Sequence, residues 1–317
     1  MTGSTMSKRV LVTGAAGYVG SLLGARLCAE HHVVGTDIRD CVGLPFALTQ
    51  LDVRDPMLAD LLRAERIDHV VHLASVLDAG RDRAREFDID VNGTRNVLRC
   101  CLDAGVGHVT IASSGAAYGY HADHPAWIDE DQPLRGNPEF AYADHKRQIE
   151  ELLVGHRQRH PQLRQLILRP GTILGAATDN LITGLFRAKR MLAIRGSDSP
   201  FVFVWDEDVV GAIEHGLRND LVGIYNLAGD GALTVREIAA ILGKPVLALP
   251  ANGIRAALWL GRRFGIGRYG PEQVDFLRYR PVLSNRRLKE QFGYRPRKTS
   301  EETFRFYVAH ARARGAL

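Results

Sequence analysis

Apolar and polar positions along this chain alternate between a period of two and a period near 3.6. Residues 8–13, Lys8-Arg9-Val10-Leu11-Val12-Thr13, form a β-rich run that stops at a glycine-rich stretch; Val19, Leu22, Leu23 and Leu27 then recur at helical spacing. Residues 33–36 read as a second strand ending at Asp37, and 48–51 as a third that leads into Asp52-Val53. A helix is expected from about Pro56, a strand over 69–75, a long helix over 86–104, and a strand over 108–112 ending in Ser113-Ser114. A loop over 118–140, rich in Pro, Gly and His, separates that strand from a helix over 141–159. Residues 165–169 form one more strand, stopped by Pro170-Gly171. Strands separated by helical segments predict an α/β fold, a doubly wound Rossmann-type parallel sheet with ligands at the C-terminal ends of its strands.

Past Pro170 the pattern loosens. A strand over 201–204 feeds a helix from about Asp208, and 224–228 reads as another strand. Thr234-Val235-Arg236-Glu237 is a capping box that opens a helix through Leu242. An apolar helical piece over 254–260 sits in a Pro/Gly-punctuated region, and Asn285 is placed to cap a helix that ends at Gly293.

With 317 residues, 45% hydrophobic and 24% charged, the chain can bury a sizeable core. No apolar run approaches the roughly 20 residues of a membrane span and no signal peptide is visible, so the expectation is a cytoplasmic protein without a membrane partner. The four cysteines lack metal or disulfide spacing and read as reduced thiols. His156 and His160 stand one helical turn apart without a third ligand in sequence, which argues against a metal. The net charge of +5 hides an asymmetry, since residues 255–317 hold 13 Arg and 2 Lys against 5 acids. That region lacks the interleaved aromatics of a nucleic-acid face, and most of its arginines read as a solvated surface; if the substrate carries phosphate, Arg268, Arg278 and Arg280 are the candidate anchors.

The chemistry concentrates in two motifs. Gly14-x-x-Gly17-x-x-Gly20, with Tyr18 and Val19 inside it, follows a strand and opens a helix. Its glycines permit a tight turn and a close approach of the backbone to a pyrophosphate, whose charge meets the helix N-terminus. Asp37-Ile38, at the end of the second strand, is where an acid accepts hydrogen bonds from a ribose diol. A carboxylate there repels a 2′-phosphate, which favours NAD over NADP, although Arg39 keeps NADP as the minority reading. Tyr142 and Lys146 lie four residues apart near a helix start, phenol and ammonium on one face. The ammonium favours the phenolate, so the pair can take a proton from an alcohol or return it to a carbonyl.

Taken in order, Thr13-Gly14-x-x-Gly17-x-x-Gly20, Asp37, Asp52-Val53, His72-Leu73-Ala74, Gly93-Thr94, Ser113-Ser114 with Tyr118-Gly119, Tyr142-x-x-x-Lys146 and Arg169-Pro170 make a specific combination. It resembles the extended short-chain dehydrogenase/reductases, the group containing NAD-dependent nucleotide-sugar epimerases and dehydratases. The resemblance implies a catalytic triad of Ser114, Tyr142 and Lys146, and an adenine contact at Asp52-Val53. It also implies a nicotinamide resting near Leu73, Ala74, Ser75, Pro170 and Ile173, and a homodimer built on a four-helix interface. Residues 1–170 would then form the NAD-binding domain, with 202–228 returning to it, and 171–201 with 229–317 a smaller substrate-binding lobe.

Three positions depart from the family pattern: Asp90 where Asn is frequent, His145 where a small hydroxyl residue is usual, and Trp205 where His is common. The expected activity is hydride transfer at a secondary alcohol or ketone, most readily of a nucleotide sugar and so an epimerisation. The alternatives are a dehydrogenase or reductase of an apolar, steroid-like or aromatic alcohol, and a dinucleotide sensor without chemistry.

Overall fold

The computed structural model describes residues 7–76, 82–264 and 270–317. The first six strands are β1 (Arg9–Thr13), β2 (His32–Asp37), β3 (Ala47–Gln50), β4 (His69–His72), β5 (His108–Ala112) and β6 (Arg164–Pro170). Three short strands, β7 (Thr172–Leu174), β8 (Met191–Ile194) and β9 (Phe203–Trp205), precede β10 (Gly223–Leu227), and β11 (Val246–Leu249) is the last. Seven strands form one sheet in the order β10-β6-β5-β4-β1-β2-β3, parallel at every junction. The order reverses at β1, and ligands bind at such a switch point because the connections there leave the sheet on opposite faces.

Residues of the inner strands β1, β4, β5 and β6 are mostly buried on both faces, which is why these strands read as nearly continuous apolar runs. Leu11, Val34, Val70, Val109 and Ile167 pack on one side with α2 (Leu58–Ala64), α4 (Gly93–Asp103) and α5 (Ala141–Arg159), through Leu62, Val97, Leu98, Ile149 and Leu153. Val10, Val12, Val33, Val71, Leu166 and Leu168 face the other side, covered by α1 (Tyr18–Leu27) and α7 (Asp206–Arg218) through Leu23, Leu27, Val209 and Ile213. Between β4 and α4 stands the short α3 (Arg83–Phe87). The long helix expected over 86–104 is therefore real but uneven: a π-helical turn, Asp88–Asn92, separates α3 from α4. Such turns concentrate at functional sites.

The rest of the chain builds a second, smaller core. It contains β7 and β9, paired with each other, and β8 and β11, also paired. Its helices are α6 (Leu181–Arg187), α8 (Val235–Leu242), α9 (Ala251–Arg263), α10 (Gln273–Arg278) and α11 (Ser300–Ala313). Phe186 sits at its centre, with Phe304 at 5.1 Å, Phe201 at 6.0 Å and Phe203 at 6.2 Å between ring centroids. The Thr234/Glu237 capping box forms as expected, and a second one, Thr299/Glu302, starts α11. Asn285 does not cap. Its amide donates instead to Ala228 O and Asp230 Oδ1, tying the segment before Gly293 to the end of β10.

Candidate active site

One cavity of about 860 Å³ opens along the C-terminal ends of the sheet strands. Gly14, Gly17, Tyr18, Val19 and Gly20 line one end. Gly14 has φ +69°, and a Cβ there would lie 2.8 Å from Ala74 N, so the turn between β1 and α1 admits no side chain. A Cβ at Gly20 would lie 2.2 Å from Gly14 O, which is what seats α1 so close to the turn. Gly17 begins the helix without a side-chain cap, leaving the N-terminus of α1 free to meet an anion. Tyr18 donates to Asp206 Oδ2 at 2.5 Å, linking the turn to the start of α7. Burial and this carboxylate push the Tyr18 phenol up to about 12.

Asp37 and Ile38 follow along the same wall. Asp37 accepts from Ala16 N at 3.1 Å, from Arg39 N at 3.0 Å and from the Arg39 guanidinium at 3.1 Å. Burial alone would raise this carboxyl, but the Arg39 guanidinium and the two backbone N–H groups hold it below the usual carboxylate range. Asp52 is gripped in the same way, by Arg54 N at 2.9 Å and the Arg54 guanidinium at 2.6 Å, and Arg54 reaches on to Asp88 at 2.7 Å. Val53 lies beside it on the cavity wall. The sequence reading named Arg39 only in connection with NADP; that it clamps Asp37, and that Arg54 clamps Asp52, emerges from the structure.

Leu73, Ala74 and Ser75 leave the end of β4 and line the middle of the cavity. His72 behind them is a packed residue, held between Thr13 Oγ1 at 2.7 Å and Thr94 Oγ1 at 3.1 Å. Burial, aided by the Lys146 charge, lowers it to about 3, so it is neutral at ordinary pH. Ser75 donates to Asp90 Oδ1 at 3.0 Å.

Ser114, Tyr142, Lys146, Pro170 and Ile173 come together across the cavity from β4. The Ser114 hydroxyl accepts from Ala116 N at 3.1 Å, which leaves its own hydrogen to donate into the cavity. Lys146 Nζ donates to Ala112 O at 2.9 Å and sits 5.6 Å from the centroid of the Tyr142 ring. Behind them a buried network stiffens the ends of β5 and β6. Glu150 receives Arg169 at 2.6 Å and Ser113 at 2.5 Å, and Arg169 also donates to Tyr118 OH at 2.6 Å.

The far end is aromatic. Tyr120 lies 4.9 Å from Phe276 and 5.5 Å from Phe140 between ring centroids, and all three rings line the cavity. Arg280 lines it as well, its guanidinium 3.7 Å from the Phe201 ring centroid and donating to Ser199 O at 3.0 Å. Desolvation pushes this guanidinium down to about 9. No carboxylate pairs with it among the described residues, and its Nε is buried without a hydrogen-bond partner. Arg278 stacks on Tyr279 at 4.7 Å and is not part of this wall, and Arg268 lies outside the described residues. Trp205 faces Arg297 and Lys298, at 4.6 and 4.4 Å from its ring, away from the cavity. Tyr120, Phe140 and Phe276 escaped sequence reasoning because they stand in loops and a short helix whose proximity no local spacing reveals.

The model of the NAD dependent epimerase/dehydratase family matches residues 10–228. An Escherichia coli O157:H7 relative, N-acetyl-alpha-D-glucosaminyl-diphospho-ditrans,octacis-undecaprenol 4-epimerase, is 30% identical over 244 residues, 74% of this chain and 71% of its own length. Among solved structures, the Thermus thermophilus UDP-glucose 4-epimerase complex with NAD is 26% identical with a TM-score of 0.75, covering 98% of this chain and all of that one (100%). The Thermotoga maritima UDP-glucose 4-epimerase with UDP-glucose, 20% identical with a TM-score of 0.76 over 96% of this chain and 99% of that one, shares the fold.

Proposed function

This chain belongs to the NAD-dependent epimerase/dehydratase family, and from that premise we propose that it is an NAD-dependent epimerase acting on a secondary alcohol of a nucleotide sugar. The observation that carries the reading is the pairing of Tyr142 and Lys146 on one face of α5, at the side of a cavity whose other end is the glycine turn. The turn suits a dinucleotide pyrophosphate, because Gly14 and Gly20 let the end of β1 and α1 pack closely against the backbone around them, and the N-terminus of α1 carries no side-chain cap. When bound, NAD supplies the acceptor and donor of hydride. Tyr142 takes the hydroxyl proton as the alcohol is oxidised and returns it as the ketone is reduced. Lys146 favours the phenolate and holds the cofactor ribose, Ser114 donates to the reacting oxygen, and Asp37 accepts from the adenosine ribose. Arg280, a desolvated cation that pairs with no carboxylate among the described residues, suits the diphosphate of the substrate.

The test is incubation of the protein with NAD and UDP-glucose, UDP-galactose or their N-acetylated forms, with NMR detection of the epimer. Epimer formation supports the reading, and its absence together with no thermal shift by UDP rejects the nucleotide-sugar substrate. A second reading, oxidation or reduction of an apolar alcohol or ketone, draws on the Tyr120–Phe140–Phe276 wall. NADH consumption with an aromatic ketone, without epimer formation, selects it.

A further inference from the structure

Two of the three positions that depart from the family pattern turn out to be partners. Asp90 and His145, 55 residues apart, meet with Asp90 Oδ2 at 3.1 Å from His145 Nδ1, and each is 2% exposed. Asp90 Oδ1 accepts from Val76 N at 2.8 Å and from Ser75 Oγ at 3.0 Å. One carboxylate therefore joins two elements that line the cavity: the segment leaving β4, and the helix α5 at the residue next to Lys146. We propose that Asp90 and His145 act as a positioning pair that fixes Ser75–Val76 and Lys146 relative to each other for cofactor binding and hydride transfer. The pair rests on the function proposed above.

The groups facing Asp90 are consistent with an ionised carboxylate. Burial by itself would raise its pKa, but His145, the Lys146 charge, Val76 N–H and the Ser75 hydroxyl hold it below the ordinary range. His72 on β4 meets Thr94 Oγ1, which donates to the main-chain Asp90 O at 2.6 Å, so it is linked to the backbone of Asp90 and not to its carboxylate. An ionised carboxylate only accepts hydrogen bonds, so His145 Nδ1 carries the proton in this contact. The edge of the Phe87 ring, 5.7 Å between centroids, packs against the same imidazole.

Removing either partner leaves the other buried without this hydrogen bond, and removing both takes away one and the same bond.

A mutant cycle read by NADH fluorescence titration tests this, because NADH affinity needs no knowledge of the substrate. Asp90→Ala and His145→Ala should each weaken NADH binding by about 10-fold, the cost of a buried polar group left without its partner. The double variant Asp90→Ala/His145→Ala should lose no more than about threefold beyond the weaker-binding single variant, because both changes remove the same bond. His145→Gln, whose amide N–H can still donate to Asp90, should bind better than His145→Ala, and it keeps the test alive if Asp90→Ala fails to fold. Turnover per NADH-binding site should follow the same order. The proposal is overturned if the losses of the single variants multiply in the double variant, or if the folded single variants keep native NADH affinity and lose only thermal stability. Failure of the proposed reaction would show instead as a native protein that binds NADH but makes no epimer.

Discussion

At the glycine-turn end of the cavity, the walls are strand ends of a single sheet and the atoms that matter are largely backbone. At the Tyr120 end, the walls come from the loop after β5, from Phe201 and from α10, and the atoms that matter are side chains. In the first region each acid is clamped by neighbours close in sequence, Asp37 by Arg39 and Asp52 by Arg54. In the second, Arg280 is held by ring faces and Ser199 across 81 residues. A site made of turns and strand ends tolerates little change of shape, whereas one made of side chains on loops can be retuned by substitution. Under the proposed function, the first region would recognise the cofactor and the second would select the substrate.

The largest expected effect lies where the two regions meet. Tyr142→Phe should lower turnover by about 10²- to 10⁴-fold, the usual contribution of one placed acid/base, and leave NADH titration nearly unchanged because the ring and its packing remain. Near-native turnover in that variant would reduce the protein to a dinucleotide-binding fold.

Gly14→Ala probes the rigid end. With φ at +69° and a new Cβ 2.8 Å from Ala74 N, the turn must distort, and NADH affinity should fall by about 10- to 100-fold. Native affinity would show that the turn is as adaptable as the aromatic end.

Arg280→Met addresses the other end alone. The apparent KM for a UDP-sugar should rise by about 10-fold, with NADH affinity unchanged, since the substrate diphosphate loses its cationic partner. An unchanged KM would favour the apolar-ketone substrate.

Acid should loosen the sheet through its buried histidines. Burial lowers His72 to about 3 and His108 to about 4, so the folded protein binds no proton at either while the unfolded chain does so below about 6.5. Stability should therefore fall as pH drops from about 6.5 toward 4, with a slope of up to about 1.4 kcal/mol per pH unit for each histidine. Urea unfolding at pH 7.5, 6.5 and 5.5 measures that slope, and His72→Gln should flatten it. A flat native profile would contradict the assignment.

The smallest effect concerns cofactor choice. Asp37→Ala should narrow the preference for NAD(H) over NADP(H) by several-fold, because the repulsion of a 2′-phosphate goes and Arg39 is released to meet it. Calorimetry showing that the native protein prefers NADPH would reverse the reading.

The sequence by itself determined the sheet and its chemistry-bearing edges. Strands buried on both faces announce themselves as apolar runs, and Gly14-x-x-Gly17-x-x-Gly20 and Tyr142-x-x-x-Lys146 act over one or two helical turns, where spacing alone sets geometry. Capping boxes are equally local, and Thr299-Ser300-Glu301-Glu302 carried a signal for α11 as plain as the one at Thr234. Tertiary structure alone decided which distant residues meet. Asp90 and His145 look like two unrelated departures until α5 is laid against the π-helical turn, and then they satisfy each other's hydrogen bonds. Tyr120, Phe140 and Phe276 become one wall only when a loop and α10 fold over the sheet edge. Contacts of that kind depend on packing across long loops, and no periodicity along the chain encodes the distance between their ends.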